Sequence, residues 1–232
     1  MNPYEQQYRQ LMANGAVAWA GEGFLRAKQQ QEKTFNWLHS QGYFPPPGAP
    51  VLEMGCGNGA MAAQSLAERG YSVWGVDLSE TAIGWAEERF RQAGLRAQFF
   101  VGNVCHLTQC KDAMFALIVD GSCLHCLIDD ARRLFFAEVR RLLKPEGRVV
   151  ISSMCGIPQY AEDITAYDPV KHHLLKEGQP WRTLKPLSDL IHEIQEAQLN
   201  VLAARVNHNA WWDHATLVCS VNSSSTGASH MA

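Results

Sequence analysis

The feature of this sequence that most restricts its fold is a change of hydrophobic period near residue 50. From there, short apolar, β-prone runs at residues 51–54, 73–76, 97–101, 115–119 and 148–152 alternate with amphipathic helical segments. Strands separated by helices pair in parallel, and a parallel sheet needs helices over both faces. Ser79 stands where an N-cap is needed, ahead of a helix that places Ile83, Ala86 and Phe90 on one face. Residues 131–143 set Leu134, Phe135, Val139 and Leu142 against Arg132, Arg133, Arg140 and Arg141, whose charges read as a solvated face. Residues 201–206 and 215–221 read as two closing strands joined by a short polar-aromatic connection, a hairpin at the end of the sheet.

Both flanks of this core have a different texture. Before it, Tyr4, Tyr8, Leu11 and Met12 share one helical face, and Phe24, Leu25, Phe35 and Leu38 follow a break at Gly21 and Gly23. Pro45, Pro46, Pro47 and Gly48 end the helical region like a hinge. This predicts an N-terminal helical cap over residues 1–48 and a main domain over 49–221. Residues 153–187, broken by Pro158, Pro169 and Pro180, form an irregular insertion before a capped helix near Ser188 that carries Leu190, Ile191, Ile194 and Ala197. Residues 222–232 are Ser-rich and read as a disordered tail.

Composition excludes several functions. The 232 residues, 47% hydrophobic and 19% charged, suit a globular domain. Twenty basic against twenty-three acidic side chains leave a net charge of −3, with no overall attraction to a nucleic acid or an anionic membrane. No apolar run is long enough to span a bilayer, and the N-terminus lacks a signal-peptide layout, so a cytoplasmic protein is expected. An odd cysteine count, seven, points to reduced thiols. Cys123 and Cys126 have the spacing of a redox pair or half a zinc site, the alternative being small thiols on a pocket wall. With no second such pair, and no carboxylate spacing to match His208 and His214, no metal is expected.

The chemistry is concentrated in residues 53–60. Gly55, Cys56, Gly57, Asn58 and Gly59 sit at a strand-to-helix junction, where missing side chains let backbone N–H groups approach a ligand. Gly55, Gly57 and Ala60 also satisfy a loose dinucleotide pattern, with Asp77 at the next strand end suited to a ribose diol, so a nicotinamide oxidoreductase is one reading. Glu53 favours another: an anion beside a pyrophosphate is badly placed, but near an ammonium it is well placed.

The stretch Glu53-x-Gly55-x-Gly57-x-Gly59 resembles motif I of the class I S-adenosylmethionine-dependent methyltransferases, and the resemblance runs through residues 50–220. Gly75-Val76-Asp77-Leu78-Ser79 resembles the second motif, which implies Asp77 on the ribose and Leu78 against adenine. Gly102-Asn103-Val104 resembles the third, with Asn103 where an acid commonly accepts from the adenine amino group. The run from Phe115 to Asp120 resembles the fourth motif, ending by the cofactor, and Leu142-Leu143-Lys144-Pro145-Glu146-Gly147 resembles the turn before strand five. The implied fold is α/β: a seven-stranded, mostly parallel sheet with an antiparallel last strand, helices on both faces, a helical N-terminal cap and an insertion after strand five. A dehydrogenase would more often continue in parallel strands.

The resemblance implies S-adenosylmethionine as cofactor and methyl transfer to a small-molecule acceptor through oxygen, nitrogen or sulfur. A sulfonium leaves without a proton, so only the nucleophile needs help. His125, just after the fourth strand, is the candidate general base, the alternative being a packing residue at the start of the next helix. Tyr4, Tyr8, Trp19, Tyr160, Trp181 and Trp211 are candidate cap residues over the acceptor, or else pack irregular segments onto the sheet. Arg182 and the pair His172 and His173 either meet an anionic acceptor or face solvent. Besides the oxidoreductase, a non-catalytic cofactor-binding module regulating a partner is a competing reading. The residues leave the oligomeric state open.

Overall fold

A computed structural model describes residues 3–222; the tail expected over 222–232 lies, from 223 on, outside the described residues. The elements run α1 Pro3–Ala13, α2 Phe24–Ser40, β1 Pro50–Met54, α3 Ala62–Glu68, β2 Ser72–Asp77, α4 Glu80–Ala93, β3 Ala97–Val101 and β4 Phe115–Asp120. They continue with α5 Asp130–Leu142, β5 Leu143–Cys155, α6 Ala161–Thr165, β6 Tyr167–Asp168, β7 His173–Lys176, β8 Gln179–Thr183, α7 Leu187–Glu196, β9 Leu199–Asn207 and β10 Asp213–Val221. Seven strands form the main sheet in the order β3-β2-β1-β4-β5-β10-β9. The first five pair in parallel, and β10 runs antiparallel to both β5 and β9. That hairpin separates the methyltransferase-like reading from the dehydrogenase-like one, in favour of the first.

The strands are apolar on both sides because both sides are covered. On one face Leu52, Met54, Phe115 and Ile118 pack with Phe135, Phe136 and Val139 of α5 and with Leu190 and Ile194 of α7. On the other, Val51, Val73, Leu117 and Val119 meet Phe35 and Leu38 of α2, Leu66 of α3 and Phe90 of α4. α2 is therefore a layer of the core rather than a cap, while α1 lies against α4. Ser79 caps α4 by accepting from Ala82 N–H at 3.0 Å, and Gly94 closes the helix with φ +65°.

Three local expectations fail for identifiable reasons. Leu134 is 42% exposed while Phe136 takes its place in the core, a rotation of the α5 face by one neighbour. Arg132 is buried, not solvated: its guanidinium forks onto the Glu193 carboxylate of α7 at 2.7 and 2.6 Å and bonds the Leu124 carbonyl at 2.8 Å. The insertion is not irregular but folds into α6 and a second sheet, β6-β7-β8, antiparallel throughout. In addition, Pro186 rather than Ser188 occupies the N-cap of α7, and the Ser188 hydroxyl turns to Asp189. β5 begins at Leu143, so residues 144–147 fall within the strand, beside an irregularity in its pairing with β4.

The chain crosses from one side of β1 to the other between β3 and β4, so a crevice opens above the ends of β1 and β4, where parallel sheets bind ligands. Here two loop backbones touch. A Cβ on Gly121 would lie 2.4 Å from the Gly55 carbonyl oxygen and 3.0 Å from that of Met54, and Gly121 N–H bonds the Met54 carbonyl at 2.8 Å. Neither backbone can yield, so Gly121→Ala should destabilise the fold by about 1–3 kcal/mol in urea denaturation. Gly84→Ala, in open space on α4, should instead stabilise it by about 0.5–1 kcal/mol.

Candidate active site

The cavity at this crevice has a volume of about 320 Å³. Its floor is the glycine loop. Gly55 and Cys56 both donate to the Val76 carbonyl at 2.9 Å, and Gly55 and Gly57 adopt φ +77° and +53°, a region open to few residues other than glycine. Asp77 braces the loop: its carboxylate accepts from Gly57 N–H at 2.9 Å and from Ser79 N–H at 3.0 Å. Glu53 reaches the start of α3 and accepts from Ala63 N–H at 2.6 Å. Gly59, with φ +68°, leaves room for Phe90, Phe99 and Ala86, so it packs the loop onto α4 and β3 rather than lining the cavity.

Both acids are buried and line the cavity, and among the described residues neither forms an ion pair. Burial is the larger influence on each, pushing Glu53 up to about 8 and raising Asp77 above its ordinary 3.8, against backbone hydrogen bonds that pull the other way. Glu53 feels the charge of Lys28, whose ammonium is bonded to the Ala60 carbonyl and the Ser65 hydroxyl, yet among the described residues neither acid is paired with a cation, which suits the site to a positively charged ligand with hydroxyl donors. Leu78 lines the same cavity with 45% of its surface exposed, an apolar face for a flat ring. The residues present therefore fit an adenosyl sulfonium bearing an ammonium group.

The wall opposite comes from the turn after β4. Asp120 is fully buried and does not line the cavity; its carboxylate accepts from Cys123 N–H at 2.8 Å, Leu124 N–H at 3.1 Å and Ser152 N–H at 3.2 Å. Burial still raises it to about 6. It ties the turn to β5 and holds Ser122 at φ +63°, a strained conformation beside the cavity. His125 follows in a one-turn 3₁₀ segment, Leu124–Cys126, and is buried. Its Nδ1 faces Met154 N–H at 3.5 Å, which leaves the ring proton of the neutral imidazole on Nε2. Burial, then the neighbouring His214, Arg182 and Arg132, holds its pKa well below 6.5, so it is neutral at physiological pH.

The roof is α1 and the segment after it. Tyr8 sets its hydroxyl 2.6 Å from where a Gly57 Cβ would stand, and its ring lies 5.0 Å from that of Trp19. Tyr4 packs on Trp19 at 6.0 Å and accepts a hydrogen bond from Arg182 at 3.1 Å. α1 is held down by Glu5, which accepts from the Ser79 hydroxyl at 2.6 Å and from Thr81 N–H at 3.2 Å at the N-terminus of α4. Asn58 adds a hydrogen bond to the Val17 carbonyl at 2.9 Å.

The structure thus brings Glu53, Gly55, Cys56, Gly57, Asn58, Asp77, Leu78, Val104, His125, Tyr4, Tyr8, Trp19 and Arg182 to one cavity. Asn103 stands outside it, exposed, with its Oδ1 accepting from Cys105 N–H at 2.9 Å. Tyr160 is exposed at the N-cap of α6, Trp181 lies under the Arg182 guanidinium at 4.1 Å, and Trp211 stacks with Arg26 at 5.9 Å. The turn Gly121–Ser122 after β4 reaches the cavity as its place after the fourth strand implies, whereas sequence reading missed Ala18, Ala20, Ala27, Met61 and Leu127, small or apolar residues that carry no local signal. Cys123 and Cys126 also line the cavity, and all seven cysteines are free. Among the described residues no cluster of three or more His, Cys, Asp or Glu is arranged to hold a metal, and no helix is long and apolar enough to cross a membrane.

Comparison with known proteins agrees with this geometry. Residues 51–147 match a family model described as a methyltransferase domain. By this match residues 51–147 are similar to a methyltransferase domain, and the fold is that of S-adenosylmethionine-dependent methyltransferases of known structure. A ubiquinone biosynthesis O-methyltransferase from Methylococcus capsulatus is 31% identical to this chain over 107 residues, 46% of this chain and 44% of that protein. In fold, the domain is similar to a SAM-dependent methyltransferase from Methanosarcina mazei (TM-score 0.68, 22% identity, 79% of this chain and 96% of that one). It is also similar to magnesium protoporphyrin IX methyltransferase from Synechocystis with bound SAH (TM-score 0.67, 16% identity, 95% of each chain). The chain spans about half or less of the length of the first curated relatives it matches.

Two outcomes follow for this site. Asp77→Ala should weaken S-adenosylhomocysteine binding by roughly ten- to a hundredfold in calorimetry, the loss of a charge-assisted hydrogen bond; unchanged affinity in a folded variant would remove Asp77 from the site. Glu5 is held near 2, against an ordinary 4.5, by hydrogen bonds from Ser79 and then Thr81. Its anchoring is complete above about pH 4.5 and is lost as the pH falls toward 2. Amides of α1 should therefore lose exchange protection across that interval, and Glu5→Gln should show the loss already at pH 7.

Proposed function

We propose that this protein transfers the methyl group of S-adenosylmethionine to a small-molecule acceptor held under the roof formed by α1, Trp19 and Arg182. One observation carries the reading: Tyr4, Tyr8 and Trp19 line the same cavity of about 320 Å³ as the glycine loop, a volume that suits a small ligand. The balance of charge, −3, gives no footing for nucleic acid. Relatives named for ubiquinone biosynthesis and for magnesium protoporphyrin IX accord with a small acceptor. The setting proposed is cytoplasmic, with the cysteines reduced.

When bound, the cofactor supplies an activated methyl on a sulfonium whose departure needs no proton. Glu53 and Asp77 hold its cationic and hydroxyl groups, Leu78 meets its ring, and the roof excludes water from the nucleophile's approach. In this reading Asn103 is a loop-forming residue rather than an adenine contact, since its amide oxygen is spent on Cys105 N–H. Asp120 positions the catalytic turn instead of touching the cofactor. Tyr160 and Trp211 pack their own segments, and Trp181 supports Arg182.

His125 takes a different role from the general base expected of it. With Nδ1 toward Met154 N–H, its Nε2–H is a donor, and its low pKa makes it a poor proton acceptor. It orients the acceptor by donating a hydrogen bond. Steady-state kinetics should show His125→Ala losing roughly ten- to a hundredfold in turnover while His125→Gln, whose amide can donate from a similar place, retains most of it. Equal losses in both variants, or an inflection between pH 5 and 8 that His125→Gln abolishes, would restore the base. Binding of S-adenosylhomocysteine without turnover on any acceptor would favour the regulatory-module reading, and preference for a nicotinamide dinucleotide would overturn the assignment.

A further inference from the structure

Among the described residues Arg182 is the one cavity-lining arginine or lysine, and it sits on β8 of the small sheet, outside the cofactor-binding elements. Both of its hydrogen bonds leave from Nη1, to the Tyr4 hydroxyl at 3.1 Å and the Trp181 carbonyl at 2.8 Å. Among the described residues no carboxylate pairs with it. The Trp181 ring at 4.1 Å and the Tyr4 ring at 5.9 Å hold the guanidinium plane, so the group is oriented without being neutralised. The unused Nε and Nη2 edge is the side-on fork that meets an oxyanion with two parallel hydrogen bonds.

The position of this fork matters as much as its charge. Its field reaches Tyr4, His125 and Cys126, the residues at the β4-turn end of the cavity. Glu53 and Asp77 occupy the glycine-loop end. The cavity is thus acidic where a cationic cofactor is proposed to lie and basic beyond it. An anion drawn to Arg182 would be attracted to the sulfonium as well, which favours approach of its nucleophile to the methyl group.

We infer that the acceptor is a small anion whose carboxylate or phosphate group binds the free edge of Arg182, with its body against Tyr4 and Trp19. This rests on the methyl-transfer reading, and it makes Arg182 a specificity-determining residue on the insertion.

The test uses matched pairs on the full chain loaded with S-adenosylhomocysteine: small aryl carboxylates against their carboxamides, and aryl phosphate monoesters against the corresponding phenols. Binding is read by saturation-transfer NMR with titration at physiological salt. The anionic member of one series or the other should bind at least about tenfold more tightly. Arg182→Gln should abolish that preference and Arg182→Lys should retain part of it, with S-adenosylhomocysteine affinity unchanged in both. Which series shows the preference tells carboxylate from phosphate. Equal binding of the paired members, including no binding of either, overturns the inference. So does a tenfold loss of S-adenosylhomocysteine affinity in Arg182→Gln, which would place the fork on the cofactor's own carboxylate. Failure of the unaltered protein to bind S-adenosylhomocysteine is a separate result, independent of position 182, and overturns the methyl-transfer reading together with this one.

Discussion

The contact between the ends of β1 and β4 sets the geometry of everything above the sheet. Gly55 and Gly121 bring two loop backbones so close that a single methyl on Gly121 would meet a carbonyl oxygen at 2.4 Å. On one side of this contact the chain turns into the glycine loop and α3; on the other it turns through Ser122 to His125. Because Gly121 also bonds Met54, the two turns cannot move independently. The glycine loop and the turn that carries His125 are thereby held at a distance that packing, not a flexible linker, decides.

Carboxylates buried at the site divide into two kinds by what they touch. Asp120, with three backbone N–H donors, is spent on structure: it pins the turn after β4 and carries no open face to the cavity. Glu53 and Asp77 also brace backbone, yet both line the cavity and, among the described residues, neither forms an ion pair, Lys28 acting on Glu53 only from a distance. Desolvating an acid in this way is unfavourable, and a folded protein retains such groups where a ligand supplies the missing charge. Arg182 is the converse case at the other end, an oriented cation with aromatic neighbours in place of an acid. The roof joins the two ends, since α1 carries Glu5 to the α4 terminus and Tyr4 to Arg182.

Legibility in the sequence followed the range of the interaction. The strands, the Ser79 cap and the glycine loop depend on near neighbours, and each was readable from period, capping chemistry or backbone freedom. Leu134 and Phe136 were not separable, because both lie near the edge of the α5 apolar stripe and the facing surface chooses between them. Arg132 reads as a solvated charge until Glu193, sixty-one residues later, arrives on α7 to meet it. The small sheet β6-β7-β8 hides behind prolines that in isolation signal irregular chain; Pro180 pairs opposite Leu175, where the register shifts.

By itself the sequence determined the sheet, its helical layers and the adenosyl-type loop, since hydrophobic period and glycine placement act within a few residues of where they are written. It also placed Asp77 and Glu53 at strand ends, which a parallel sheet necessarily brings to one edge. Only the tertiary structure decided that Asp120 turns inward, that His125 presents a donor, that Asn103 closes its own loop and that Arg182 reaches the cavity from a distant strand. Each of these depends on which partner comes within hydrogen-bonding distance once the layers pack. A side chain's protonation, tautomer and orientation are set by that partner, and the partner is chosen by the fold.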